Sequence, residues 1–95
     1  MQKLSDGSLL LTWSPYLNGN YVVLGAISRT GDIKGPWEHL DAPIFSNNGG
    51  HAMFFYDREG RHCMCLHAPE KHMLERACLF EVGEKDRTLV VLHEI

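Results

Sequence analysis

The chain has 95 residues, a net charge of −3 and 44% hydrophobic residues. That is enough for one small domain, and a chain this short buries about 60–65% of the surface its unfolded form exposes. Lys and Arg are scattered with no basic stripe, which argues against nucleic acid as a partner, and no apolar run approaches the roughly 20 residues needed to span a bilayer as a helix.

The punctuation is β throughout. Gln2-Lys3-Leu4 reads as a strand cut off after one or two residues, leading straight into a turn at Ser5-Asp6-Gly7 with no signal peptide before it. This start is expected of a chain that begins in the middle of a fold. Leu9 to Ser14 reads as a buried strand, Pro15 to Asn20 as a turn, and Tyr21 to Ser28 as the next strand. Thr30-Gly31-Asp32 turns again. Ile33 to Pro43 is irregular, with a short outer strand around Trp37 to His39.

A second group follows the Asn47-Asn48-Gly49-Gly50 loop. His51 to Tyr56 reads as a strand, Asp57 to Gly60 as a hairpin turn and Arg61 to His67 as the returning strand. Ala68 to Arg76 is a longer connection with at best one helical turn near His72 to Arg76. Cys78 to Val82 reads as a strand, Gly83 to Arg87 as a turn, and Thr88 to His93 as the last strand. No stretch of ten residues keeps a 3.6-residue apolar period. Short strands at regular spacing predict an all-β sandwich, barrel or propeller. The chain divides near Phe45 into units of about 45 residues, a period that suits four-stranded propeller blades.

The three cysteines, Cys63, Cys65 and Cys78, are odd in number and are not spaced as a disulfide framework. They read as small buried hydrophobes and lean towards a reducing compartment. Cys63, Cys65 and His67 share one strand face. Three zinc ligands on one face splay apart, so zinc is rejected. His39, His62, His72 and His93 read as surface or strand residues. Glu70, Glu75, Glu81 and Glu84 read as solvated charges. No Ser-His-Asp set, P-loop or Rossmann glycine pattern occurs.

Three segments carry a resemblance. They are Asp6 to Ser14; Ser28 to Glu38 with its Gly35-Pro36-Trp37; and Gly49-Gly50-His51-Ala52-Met53-Phe54-Phe55 with Asp57 to Arg61 and Leu66-His67-Ala68-Pro69. In this order and spacing, over nearly the whole chain, they resemble the last two blades of glycoside hydrolase family 43. That family comprises arabinanases, arabinofuranosidases and β-xylosidases, which act on arabinan and xylan. The resemblance implies a partial β-propeller, with residues 1–45 the penultimate blade and 46–95 the last.

The resemblance also implies an inverting mechanism carried by three acids. The general acid and the base that activates water stand roughly 6.5–9.5 Å apart across the scissile bond. The base belongs to the first blade, the residue that tunes the acid to a middle blade, and the acid to a position just before Gln2. No catalytic residue is therefore assigned here, and Asp6 sits in a hairpin turn instead.

His51 matches the family's axial histidine, which often coordinates a central cation, usually calcium; the alternative is a histidine that caps a strand after a Gly-Gly turn. Ala52 stands where the family often has glycine, and its methyl is expected to crowd the axis. Arg76 resembles a last-blade arginine near the carboxylates or the sugar, where a guanidinium fork pairs well; the alternative is a solvated loop arginine beside Glu75. His67 is a second candidate for sugar contact. Trp13 either stacks on sugar or belongs to the blade core, and the core is preferred.

Three functions follow as expectations: the tail of a longer glycosidase, inactive alone; a module that self-associates or joins an N-terminal propeller piece through open sheet edges; or a remnant with no selected role.

Overall fold

The computed structural model describes every residue except Glu70, His72, Asp86 and Arg87. Among the described residues there are ten strands and no helix. They are β1 (Gln2–Lys3), β2 (Leu9–Trp13), β3 (Tyr16–Leu17), β4 (Asn20–Tyr21), β5 (Leu24–Ser28), β6 (Trp37–His39), β7 (Gly50–Tyr56), β8 (His62–Ala68), β9 (Arg76–Lys85) and β10 (Thr88–Glu94). Two four-stranded antiparallel sheets run in the orders β1-β2-β5-β6 and β10-β9-β8-β7, and β3 and β4 form a small hairpin of their own.

The sheets meet face to face. In the first, Leu10 lies opposite Ile27 across β2 and β5. In the second, Phe54, Met64 and Phe80 line up across β7, β8 and β9. Because side chains alternate along a strand, these residues project from one face of each sheet. They merge with Leu4, Val23, Leu66, Val82 and Leu89 into a single core. Burying each of Leu10, Ile27, Met64 and Leu66 contributes about 1.5–3 kcal/mol. Cys63 is buried, whereas Cys65 and Cys78 are only partly so, and all three are free thiols.

Several boundaries differ from the sequence reading. The strand expected over Tyr21 to Ser28 is broken after Tyr21. The reason is that the chain around Phe45 takes the backbone partners of Val23: its N–H donates to the Phe45 carbonyl, and its own carbonyl accepts from Ile44. Pro15 to Asn20 is not a plain turn but holds most of the β3–β4 hairpin. Gly83 to Lys85 continue β9 instead of turning, each paired with a residue of β10. Gly83 serves there as space, since a Cβ on it would lie 3.1 Å from Leu92. In place of a helical turn before Arg76, the Leu74 N–H donates to the Lys71 carbonyl in a simple turn. The readings of Glu70 and His72 as surface residues lie outside the described residues.

Candidate functional site

The strand registers bring one set of connections to one end of both sheets. Trp13 and Leu24 pair at that end of the first sheet, and Gly50, His67 and Ala77 pair at that end of the second. The β3–β4 hairpin, the loop before β7 and the connection from β8 to β9 therefore converge there.

The hairpin owes its shape to Asn18-Gly19. Both residues have positive φ, 51° and 78°, as a two-residue type I′ turn requires. Long-range bonds fix it against the loop before β7: the Asn20 side-chain amide donates to the Ser46 carbonyl at 2.7 Å, the Tyr21 N–H to Asn48 Oδ1 at 3.1 Å, and the Gly49 N–H to the Tyr21 carbonyl at 2.9 Å. Two glycines permit the close approach. A Cβ on Gly50 would lie 2.7 Å from the Tyr21 ring and 2.9 Å from Ser14, and one on Gly49 would lie 2.9 Å from the His67 carbonyl oxygen.

His51 follows directly. The β7–β8 register slips between Gly50 and Met53, which leaves a bulge at His51 and Ala52. His51 takes φ of 56° there, a left-handed conformation that histidine enters more readily than most residues. Its N–H donates to Ser14 Oγ at 3.0 Å. Bulges re-aim side chains, and this one leaves His51 exposed. Ala52, in contrast, packs against the core. The methyl expected to crowd the axis thus points into the sheet interface, because the bulge sends the two neighbours to different sides.

Four rings form a row at this end. Tyr16 stacks on Tyr21 at a centroid distance of 4.7 Å and an interplanar angle of 23°. Tyr21 lies 5.3 Å from His67, and His67 lies 6.2 Å from His51. The two histidines open onto an exposed pocket of about 340 Å³, whose wall also includes Glu75, Arg76, Met53 and Leu66. Three of the residues selected from sequence, His51, His67 and Arg76, thus share one pocket. Arg76 is the first residue of β9, paired with Ala68, so a strand and not a loop sets its base.

Trp13 lies apart from them. It is half-buried and meets His39 edge-on at 5.6 Å. Both rings lie on the face of the first sheet turned away from the second, since Trp13 alternates with the inward-facing residues of β2. A second cavity, of about 600 Å³, opens between the outer strands beside the Arg29–Glu38 ion pair and Thr88. It includes none of the residues selected from sequence.

Among the described residues, no group of three or more His, Cys, Asp or Glu side chains converges as metal ligands. Calcium takes six to eight oxygen ligands, so His51 and its neighbours do not by themselves make a calcium cage.

No family model matches the chain, and no curated protein matches it. Among solved structures, the chain is similar to the endo-arabinase from Bacteroides thetaiotaomicron VPI-5482, with 34% identity and a TM-score of 0.83. The match covers 92% of this chain and 31% of that one. The chain has the fold of a partial β-propeller. Its two sheets are four-stranded antiparallel blades, and the all-β fold expected from sequence holds. The chain spans less than a third of the enzyme it matches.

The sequence reading missed Tyr16, Tyr21, Ser14 and Asn48. A signal for the first two was present: Asn-Gly between short apolar runs is a strong hairpin mark, and here a tyrosine stands two residues before it and another two residues after it. Nothing local marks Ser14 or Asn48, whose partners lie 37 and 27 residues away.

Proposed function

We propose that the chain forms the last two blades of a family 43-type five-bladed propeller glycosidase acting on arabinose- or xylose-containing plant polysaccharides. The likeness to the endo-arabinase over 92% of the chain carries this reading. In it, the end of the sheets bearing His51, His67 and Arg76 is one wall of the sugar cleft. Arg76 supplies a fork that pairs with a carboxylate or with sugar hydroxyls. The imidazoles of His51 and His67 supply hydrogen-bonding edges to the same pocket.

The reaction needs an acid and a base on opposite sides of the glycosidic bond. By the resemblance, those carboxylates occupy positions that none of these 95 residues fills, so this chain binds and positions but does not cleave. The test is incubation of the 95-residue chain with linear arabinan and with arabinoxylan, followed by assay for released reducing sugar. No release is expected. Release abolished by mutating a carboxylate of this chain would overturn the assignment.

A second reading, assembly through the sheets, draws support from the face of the second sheet turned away from the core. Met53, Cys65 and Leu79 lie in register there, and Met53, Phe55, Leu79 and Leu92 are all exposed. Grouped exposed apolar side chains mark interaction surfaces. A compact monomer at high concentration in sedimentation analysis would exclude self-association.

A further inference from the structure

We propose that Ser14 is a positioning residue for the pocket: its hydroxyl reaches from the first sheet to the second and holds His51 in the left-handed conformation that brings the imidazole to the pocket wall. The consequence for binding rests on the carbohydrate reading above. The pose of His51 rests on the geometry alone.

At the bulge, His51 takes φ of 56°. Histidine enters this region more readily than most residues, but still at a cost, and a residue other than glycine stays there when its surroundings hold it. Contacts on both sides supply the hold. The His51 N–H donates to Ser14 Oγ at 3.0 Å. Gly50 lies so close to Ser14 that a Cβ on it would stand 2.9 Å from the serine's own Cβ. On the far side, Ala52 packs against the core. The amide and the Cβ of His51 share one carbon, so fixing the N–H direction and φ fixes where the side chain sets out. It sets out towards the pocket that also holds Arg76.

The bond to Ser14 can also serve only to tie the two sheets. That role asks for no particular φ at residue 51, and this end is already tied by the bonds from Tyr21 to Asn48 and from Gly49 to Tyr21. The serine tie falls instead at the bulged residue whose ring lines the pocket. Its acceptor is a side-chain hydroxyl at the end of β2, which alanine cannot replace and threonine can.

The experiment is NMR on the 95-residue chain with three readouts. The first is the His51 amide–Hα coupling, which reports φ. The second is the cross-peak between the His51 and His67 rings, whose centroids lie 6.2 Å apart. The third is affinity for linear arabinohexaose. Wild type is expected to show the coupling of a left-handed residue, the ring cross-peak and slow exchange of the His51 amide. Ser14→Ala is expected to lose the coupling and the cross-peak. It is also expected to bind the hexamer about three- to tenfold more weakly, the size of one hydrogen bond. Ser14→Thr is expected to keep all three.

If Ser14→Ala keeps the coupling and the cross-peak, the positioning role is refuted, whatever happens to affinity. A wild-type His51 amide that exchanges as fast as an unstructured one refutes it too, and that result needs no variant to fold. If Ser14→Thr loses the pose as Ser14→Ala does, packing and not the hydroxyl sets His51, and the role given to Oγ falls. If the pose depends on Ser14 as expected but arabinohexaose does not bind wild type, the carbohydrate reading fails and the role of Ser14 in setting His51 stands.

Discussion

At one end of the two sheets the turns are built largely from their own residues, with a tie from Ser5 to Glu84 across the sheets; at the other the loops are held mainly to distant segments. The first end carries the turns at Asp6, Thr30 and Asp57. Asp6 accepts bonds from the backbone and hydroxyl of Ser8. Ser28 and Thr30 bond the turn around Asp32. Asp57 accepts from Glu59 and Arg61. The opposite end is held by bonds from Asn20 to Ser46, Tyr21 to Asn48 and His51 to Ser14, which span 26 to 37 residues. A turn that satisfies its own polar groups, as that at Asp57 does, can vary by itself. An end built from mutual contacts positions His51, His67 and Arg76 together, and a fault in any one tie is felt at the pocket.

The sharpest way to break this contrast is at Gly50. Gly50→Ala places a methyl against Tyr21 and Ser14, and overpacking of this kind costs about 1–3 kcal/mol. Urea denaturation is expected to show that loss, and amide shifts are expected at Tyr21 and His67 but not at Asp57 to Arg61. An unchanged midpoint would mean that the loop does not press on the hairpin.

A smaller effect is expected at the Asp57 turn. The Arg61 side chain, with the Arg61 and Glu59 backbone N–H groups, holds the Asp57 carboxyl below its ordinary value against a weaker opposing effect of desolvation. A depressed carboxylate contributes stability above its unfolded value of about 3.9, and that stability is lost as pH falls through the folded value. Asp57→Asn is therefore expected to be less stable than wild type at neutral pH, with the gap closing in acid and the pocket signals unmoved. A gap that stays constant from pH 7 into strong acid would show that the Asp57 charge adds nothing.

The smallest effect concerns His62. Burial lowers its pKa, with Glu84 opposing. The folded chain thus favours the neutral ring, so the contribution is full above the unfolded value of about 6.5 and falls as pH drops below it. His62→Gln is expected to flatten the stability profile slightly between pH 7 and 5. A steeper profile would reverse the sign.

The same contrast explains what could be read in advance. The outer strand at Trp37, the hairpin at Asp57 and the placing of His67 on the face of Cys63 and Cys65 follow from neighbours in the chain: turn residues stop strands, and alternation sets faces. β9 was read too short because Gly83 looks like a turn residue until Leu92 is seen lying over it. Trp13 and His51 were both selected as candidates, yet only His51 reaches the pocket.

The sequence by itself determined the β class, the pairing of close hairpins and the resemblance that selected His51, His67 and Arg76, because strand period, turn chemistry and ordered motifs are local properties. Tertiary structure alone decided that Ala52 turns into the core while His51 turns out. It alone extended the ring row from the pocket to Tyr16. Those outcomes depend on a bulge, two glycines and bonds across 26 to 37 residues, and a contact between distant segments leaves no mark in either segment read alone.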